Sequence, residues 1–115
     1  MMKPFTQAIF LTITAFSIAT SSLSAAEVTE RNLTSIGCQK DKGICSVQLN
    51  GDPVGNRNCA SNILQFNALT DKNADAVLSL LTAAFFAGKK VRFDISEQCS
   101  QHDNAPTFES FMVIN

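Results

Sequence analysis

The sequence predicts a small, mainly β domain with one α-helix, exported and stapled by disulfides. Three observations carry this expectation. Cys45, Val47 and Leu49 alternate with Ser46, Gln48 and Asn50, and Val91, Phe93 and Ile95 alternate with Arg92, Asp94 and Ser96. A period of two marks a half-buried strand. Between these runs, Val77, Leu80, Leu81, Ala84 and Phe85 recur at the i, i+3, i+4, i+7 and i+8 spacing of an amphipathic helix. Finally, an apolar N-terminal run precedes four cysteines, Cys38, Cys45, Cys59 and Cys99.

Residues 1–26 read as a cleavable signal peptide. Lys3 is the only charge in this stretch, and an apolar run from Phe5 to Ala19 follows it. The composition then turns small and polar, and Ser24 and Ala26 meet the small-residue rule at the −3 and −1 positions. Cleavage after Ala25 fits almost as well. A membrane-spanning helix needs about 20 predominantly apolar residues, and this run, about 15 residues long, is interrupted by threonines. No second hydrophobic span follows, so no membrane span is expected after cleavage, and the protein is expected to be secreted or periplasmic. The remainder, 27–115, has room for one domain only. A chain of that size buries a modest fraction of its surface and benefits from covalent staples.

Taking the mature part in order, residues 27–35 are polar and weakly patterned, and a first strand is expected to end around Ile36 and Cys38. Gln39 to Gly43 form a polar turn closing a hairpin. The second strand, through Cys45, Val47 and Leu49, stops at Asn50-Gly51-Asp52-Pro53, which is turn chemistry. Residues 54–62 read as loop. A third strand over Asn62–Leu69 places Leu64, Phe66 and Ala68 on one face. For the helix, Asp71 or Asn73 is expected to cap the start with a side-chain oxygen. Gly88 is expected to end it in a left-handed conformation. The fourth strand follows at once through Val91, Phe93 and Ile95. Gln98–Pro106 reads as a polar loop, and a last strand over 107–114 carries Phe111 and Val113 on one face.

An even number of cysteines in a small exported chain reads as a disulfide framework. A zinc site needs close Cys pairs such as CxxC, which the chain lacks, and there is one histidine. No metal or cofactor is expected. Four cysteines allow three pairings. The favoured one joins Cys38 to Cys45 across a short hairpin and Cys59 to Cys99 across distant segments.

Strand, strand, strand, helix, strand, strand is the element order of the five-stranded Greek-key barrel called the OB-fold. In that barrel strands three and five run side by side and close it, which brings Cys99 near Cys59. A ferredoxin-like or open α+β sheet is the alternative arrangement.

The chain also resembles a known group. Its motifs are Val47-Gln48-Leu49-Asn50-Gly51, Cys59-Ala60, Leu80-Leu81-Thr82-Ala83-Ala84, Ala87-Gly88-Lys89-Lys90-Val91 and Cys99-Ser100. Together with the export signal they look like small exported bacterial proteins related to the B subunit of subtilase cytotoxin. The resemblance covers most of the mature chain, and its most specific part is the helix end running into the fourth strand. It implies an OB-fold with a disulfide between the positions of Cys59 and Cys99. It also implies a homo-oligomer, a ring of five in the toxin, that binds sialylated glycans on cell surfaces. Cys38 and Cys45 depart from the family pattern as an additional pair.

Composition narrows the function classes. Nine basic residues include Lys3, so eight remain beyond residue 26 against ten acidic residues, a net of about −2. With no Trp and no Tyr either, the basic groove and stacking platform of a nucleic-acid binder are missing. His102-Asp103 invites an acid–base reading, yet adjacent residues rarely orient each other and no GxSxG-type nucleophile motif accompanies them. A non-enzymatic binding protein for a glycan or cell-surface ligand is therefore expected. The competing class is a monomeric secreted or periplasmic protein-interaction or inhibitor module with no sugar ligand. In an OB-fold, ligands bind the face of strands two and three and the loops joining strands one to two and four to five. That points to Lys40, Asp41 and Lys42 on one loop and to Gln101, His102, Asp103 and Asn104 on the other. Phe66, Phe85, Phe93, Phe108 and Phe111 are expected in the core, and Phe86 exposed at the helix end.

Overall fold

The computed structural model describes residues 27–115, so the expected signal peptide lies outside the described residues. Five strands and one helix follow in the order β1 (Glu27–Gln39), β2 (Ile44–Leu49), β3 (Ile63–Asn67), α1 (Ala74–Ala87), β4 (Lys90–Cys99) and β5 (Pro106–Ile114). All pairings are antiparallel, and the strands form one sheet in the order β3-β2-β1-β4-β5. The fold is mainly β, as the alternating runs predict.

β1 organises the sheet. Its first half, Glu27 to Asn32, pairs with β4, and its second half, Leu33 to Gln39, pairs with β2. The change of partner coincides with an irregularity between Leu33 and Ser35, opposite Leu49 and Gln48. An extra residue in one strand increases the local twist and bends it. Bending at this point wraps the two halves of the sheet around a shared interior. Arg31 ties the bend to the loop after β2: its Nη1 donates to the carbonyls of Asn50 (2.6 Å) and Asp52 (3.1 Å).

The interior is one apolar cluster. Val47, Leu64, Leu81, Val91 and Phe93 are fully buried, with Leu33, Cys45, Leu49, Val54, Phe66, Ala84 and Ile95 around them. Phe85, Phe108 and Phe111 pack on it, so the five expected core phenylalanines are all in place. Phe86 stays in solvent at 79% exposure. The helix contributes Ala74, Val77, Leu78, Leu81, Ala84 and Phe85 to the core. Leu80, expected in that stripe, is exposed instead, because it falls about 100° around the helix from Leu81. Val113, expected to pack with Phe111, is likewise exposed on the outermost strand.

The helix ends differ from each other. Asn73 is the N-cap residue but sits in the left-handed region (φ 57°) and its side chain makes no capping bond. Asp71 does not cap either; its Oδ2 accepts the Asn67 N–H at the end of β3. The C-terminus behaves as predicted. Gly88 adopts φ 65°, its N–H meets the Phe85 carbonyl, and the Lys89 N–H meets that of Ala84. A Cβ added at Gly88 meets nothing within 4 Å, so a side chain there feels only the backbone conformation. Gly88→Ala is therefore expected to cost about 1 kcal/mol, measured as a lower urea midpoint with an unchanged slope.

The disulfides pair as favoured: Cys38 with Cys45 and Cys59 with Cys99, at sequence separations of 7 and 40. Full closure of the barrel is the expectation that fails. β3 and β5 stand at opposite edges of the sheet, and among the described residues no backbone ladder joins them. Side chains and a disulfide span the seam instead. The Phe66 ring on β3 lies edge-on to Phe108 on β5, with centroids 5.8 Å apart. Cys59–Cys99 ties the loop before β3 to the end of β4. Among the described residues no helix is long and apolar enough to cross a membrane.

Candidate functional site

The unclosed seam between β3 and β5 is a groove of ≈ 540 Å³. One wall is Gln65, Phe66 and Asn67 of β3 with Asp71, Lys72 and the first turns of α1. The opposite wall is the end of β4, the following loop and the start of β5. Why the second wall is polar follows from the strand pairing. Ile95 faces Phe108 and Cys99 faces Pro106, so three residues of β4 stand against one of β5. This bulge breaks the alternation and places both Ser96 and Gln98 against the groove. Ser96 Oγ accepts the Gln98 N–H at 3.1 Å, and Thr107 Oγ1 donates to the Gln98 carbonyl at 2.9 Å, which holds the bulge in shape.

Gln101 and His102 of the β4–β5 loop line the groove. The Ser100 hydroxyl accepts the His102 backbone N–H at 3.3 Å. Asp103 and Asn104 turn to the other side of the loop, where they line a second groove of ≈ 350 Å³ with Arg57, Asn58 and Ser61. Both anchor the loop. Asp103 Oδ2 accepts from Gln65 Nε2 at 2.9 Å, and Asn104, at φ 50°, donates from Nδ2 to the Asn58 carbonyl at 2.8 Å.

Lys40, Asp41 and Lys42 are exposed on the turn between β1 and β2 and line neither groove. The two loops expected to act together are thus not brought together, and only the β4–β5 loop borders the seam. Polar residues that the sequence does not single out lie on both walls: Gln65, Asn67, Asp71 and Lys72 on β3 and the segment after it, and Ser96, Gln98, Thr107 and Glu109 on β4 and β5.

Gln65 is the least ordinary of them. Its neighbours Leu64 and Phe66 belong to the core, so the strand's alternation turns Gln65 to the opposite face. It is nevertheless only 8% exposed, because the β4–β5 loop reaches it through Asp103. Its Nε2 is satisfied there, whereas its Oε1 is buried with no hydrogen-bond partner among the described residues. Leaving such an acceptor unpaired costs about 1–3 kcal/mol.

Chemically, the main groove combines side-chain amides (Gln65, Asn67, Gln98, Gln101), carboxylates (Asp71, Glu109) and hydroxyls over the aromatic rings of Phe66 and Phe108. Lys72 and His102 add nitrogen donors. Comparison of the chain with protein-family models, curated proteins and solved structures finds no match.

Proposed function

We propose that this is an exported, non-catalytic binding protein whose groove between β3 and β5 holds a glycan. The observation that carries the reading is the make-up of that groove: planar amides and carboxylates beside aromatic rings. Amides and carboxylates offer paired donors and acceptors that match neighbouring sugar hydroxyls. An aromatic ring accommodates the apolar face of a pyranose. Concave sites with a few converging polar groups are the usual form of small-ligand sites. The two disulfides and the N-terminal apolar run support a secreted or periplasmic setting. The strand order and the helix between β3 and β4 support an OB-type barrel left open at one seam. The resemblance to toxin B subunits adds a homo-oligomeric ring to the proposal.

A glycan array probed with the labelled protein tests this. A defined set of glycans is expected to bind, and the double variant Gln101→Ala/His102→Ala weakens that binding about tenfold or more. Both residues are exposed, so the unfolding midpoint stays close to that of the parent. An array with no bound glycan sinks the sugar reading and leaves the interaction module. Light scattering reads the ring separately, and a clean monomer removes that part.

A further inference from the structure

Gln65 lines both grooves, the one between β3 and β5 and the one beneath Asp103 and Asn104. It lies at their junction, more than nine-tenths buried, with one half of its amide bonded and the other half bare. Which half is which is set by chemistry. Turning the amide over would place its carbonyl oxygen against the Asp103 carboxylate, two acceptors facing each other. The Asp103 contact therefore holds Nε2 toward the loop and leaves Oε1 as an acceptor in need of a donor.

We infer that Gln65 is the specificity-determining residue of the groove, its Oε1 accepting a hydrogen bond from a ligand hydroxyl while Asp103 positions the amide. The inference rests on the glycan reading and names the contact that reading lacks. Its logic is that of a site built to be completed. A buried acceptor left unpaired discriminates sharply, because a ligand without the matching donor leaves it unpaired still. The loop that covers Gln65 is held to the body of the protein by two side-chain hydrogen bonds, Gln65–Asp103 and Asn104–Asn58, next to the Cys59–Cys99 bridge. Oε1 itself is shielded from solvent, so a ligand hydroxyl reaches it by a turn of the Gln65 side chain toward the groove that keeps the Nε2–Asp103 bond. The ligand class is thus a polyol presenting a hydroxyl donor at the β3 wall.

The test is a titration of ¹⁵N-labelled protein with glucose, galactose, mannose and N-acetylglucosamine, each at millimolar concentration, read at the side-chain amides. At least one sugar is expected to shift the paired Nε2 resonances of Gln65 together with those of Gln101. The variant Gln65→Leu is expected to bind that sugar about tenfold more weakly. Its melting temperature does not fall, because the substitution removes the unpaired acceptor along with the bond to exposed Asp103. A purely structural glutamine behaves in the opposite way: Gln65→Leu melts earlier and binds as the parent does, which overturns the inference. Shifts at Gln101 and His102 with Gln65 silent overturn it while leaving the groove reading intact. Silence at every groove residue overturns both.

Discussion

Replacing Cys59 and Cys99 together by alanine is expected to cost about 4 kcal/mol of unfolding free energy. At a sequence separation of 40, the bridge removes a large share of the unfolded chain's freedom, and that freedom returns when it is cut. For Cys38–Cys45, at a separation of 7, the same relation gives about 2.5 kcal/mol. Topology widens the contrast. Cys38 and Cys45 lie opposite each other in the β1–β2 ladder, so the backbone already holds them together. Cys59 and Cys99 flank β3 and β4, which do not pair. Against a net stability of about 5–15 kcal/mol for a domain, the long bridge is a large fraction. Urea unfolding of the two double variants measures this. Equal losses would show that the seam is held by something other than its disulfide.

How much of this architecture is legible in the sequence depends on where each segment's order comes from. β2, β4 and α1 carry their own periodicity, because one face of each meets the core. β1 does not. Its buried positions near the start include Thr29, while Val28 points outward at 58% exposure. At Val28 and Thr29 hydropathy is therefore inverted relative to burial, and this half of the strand is held by its pairing with β4 rather than by its own pattern. The helix start is hidden for a related reason. Asp71, a good capping residue in isolation, is drawn to the end of β3, and Asn73 takes a left-handed backbone instead.

The site divides along the same line. Gln101 and His102 are findable because a polar loop between two strands is a common place for contacts. The opposite wall is not. Gln65 looks like an ordinary solvated position, sitting between core residues on an alternating strand. What buries it is a loop 38 residues further along the chain, bonded through Asp103. Lys40, Asp41 and Lys42 fail as candidates for the reciprocal reason. Their loop is polar and exposed, yet its three charged side chains stay outside the groove, which begins with Ile44 just beyond the turn.

The aromatic chain across the seam yields the second large effect. Phe93→Ala is expected to lose about 4 kcal/mol, within the usual cost of emptying a phenylalanine site in a packed core. Phe93 is fully buried at the middle of β4, and its ring lies 5.3 Å from that of Phe108 and 6.2 Å from that of Phe111. Phe108 in turn meets Phe66 across the seam at 5.8 Å. The cavity therefore opens beneath the ring that floors the groove, and Phe108 loses the neighbour that props it. Phe93→Leu, which keeps most of the volume, is expected to cost about 1.5 kcal/mol or less. Phe86→Ala is the control, since an exposed side chain of the same type falls within about 0.5 kcal/mol of the parent. Urea midpoints of the three variants give the order Phe93→Ala, Phe93→Leu, Phe86→Ala from least to most stable. A Phe86→Ala loss matching that of Phe93→Ala would mean that the helix end, and not the seam, is where this protein's aromatic stability resides. The exposed ring would then have to be buried against a second copy of the chain.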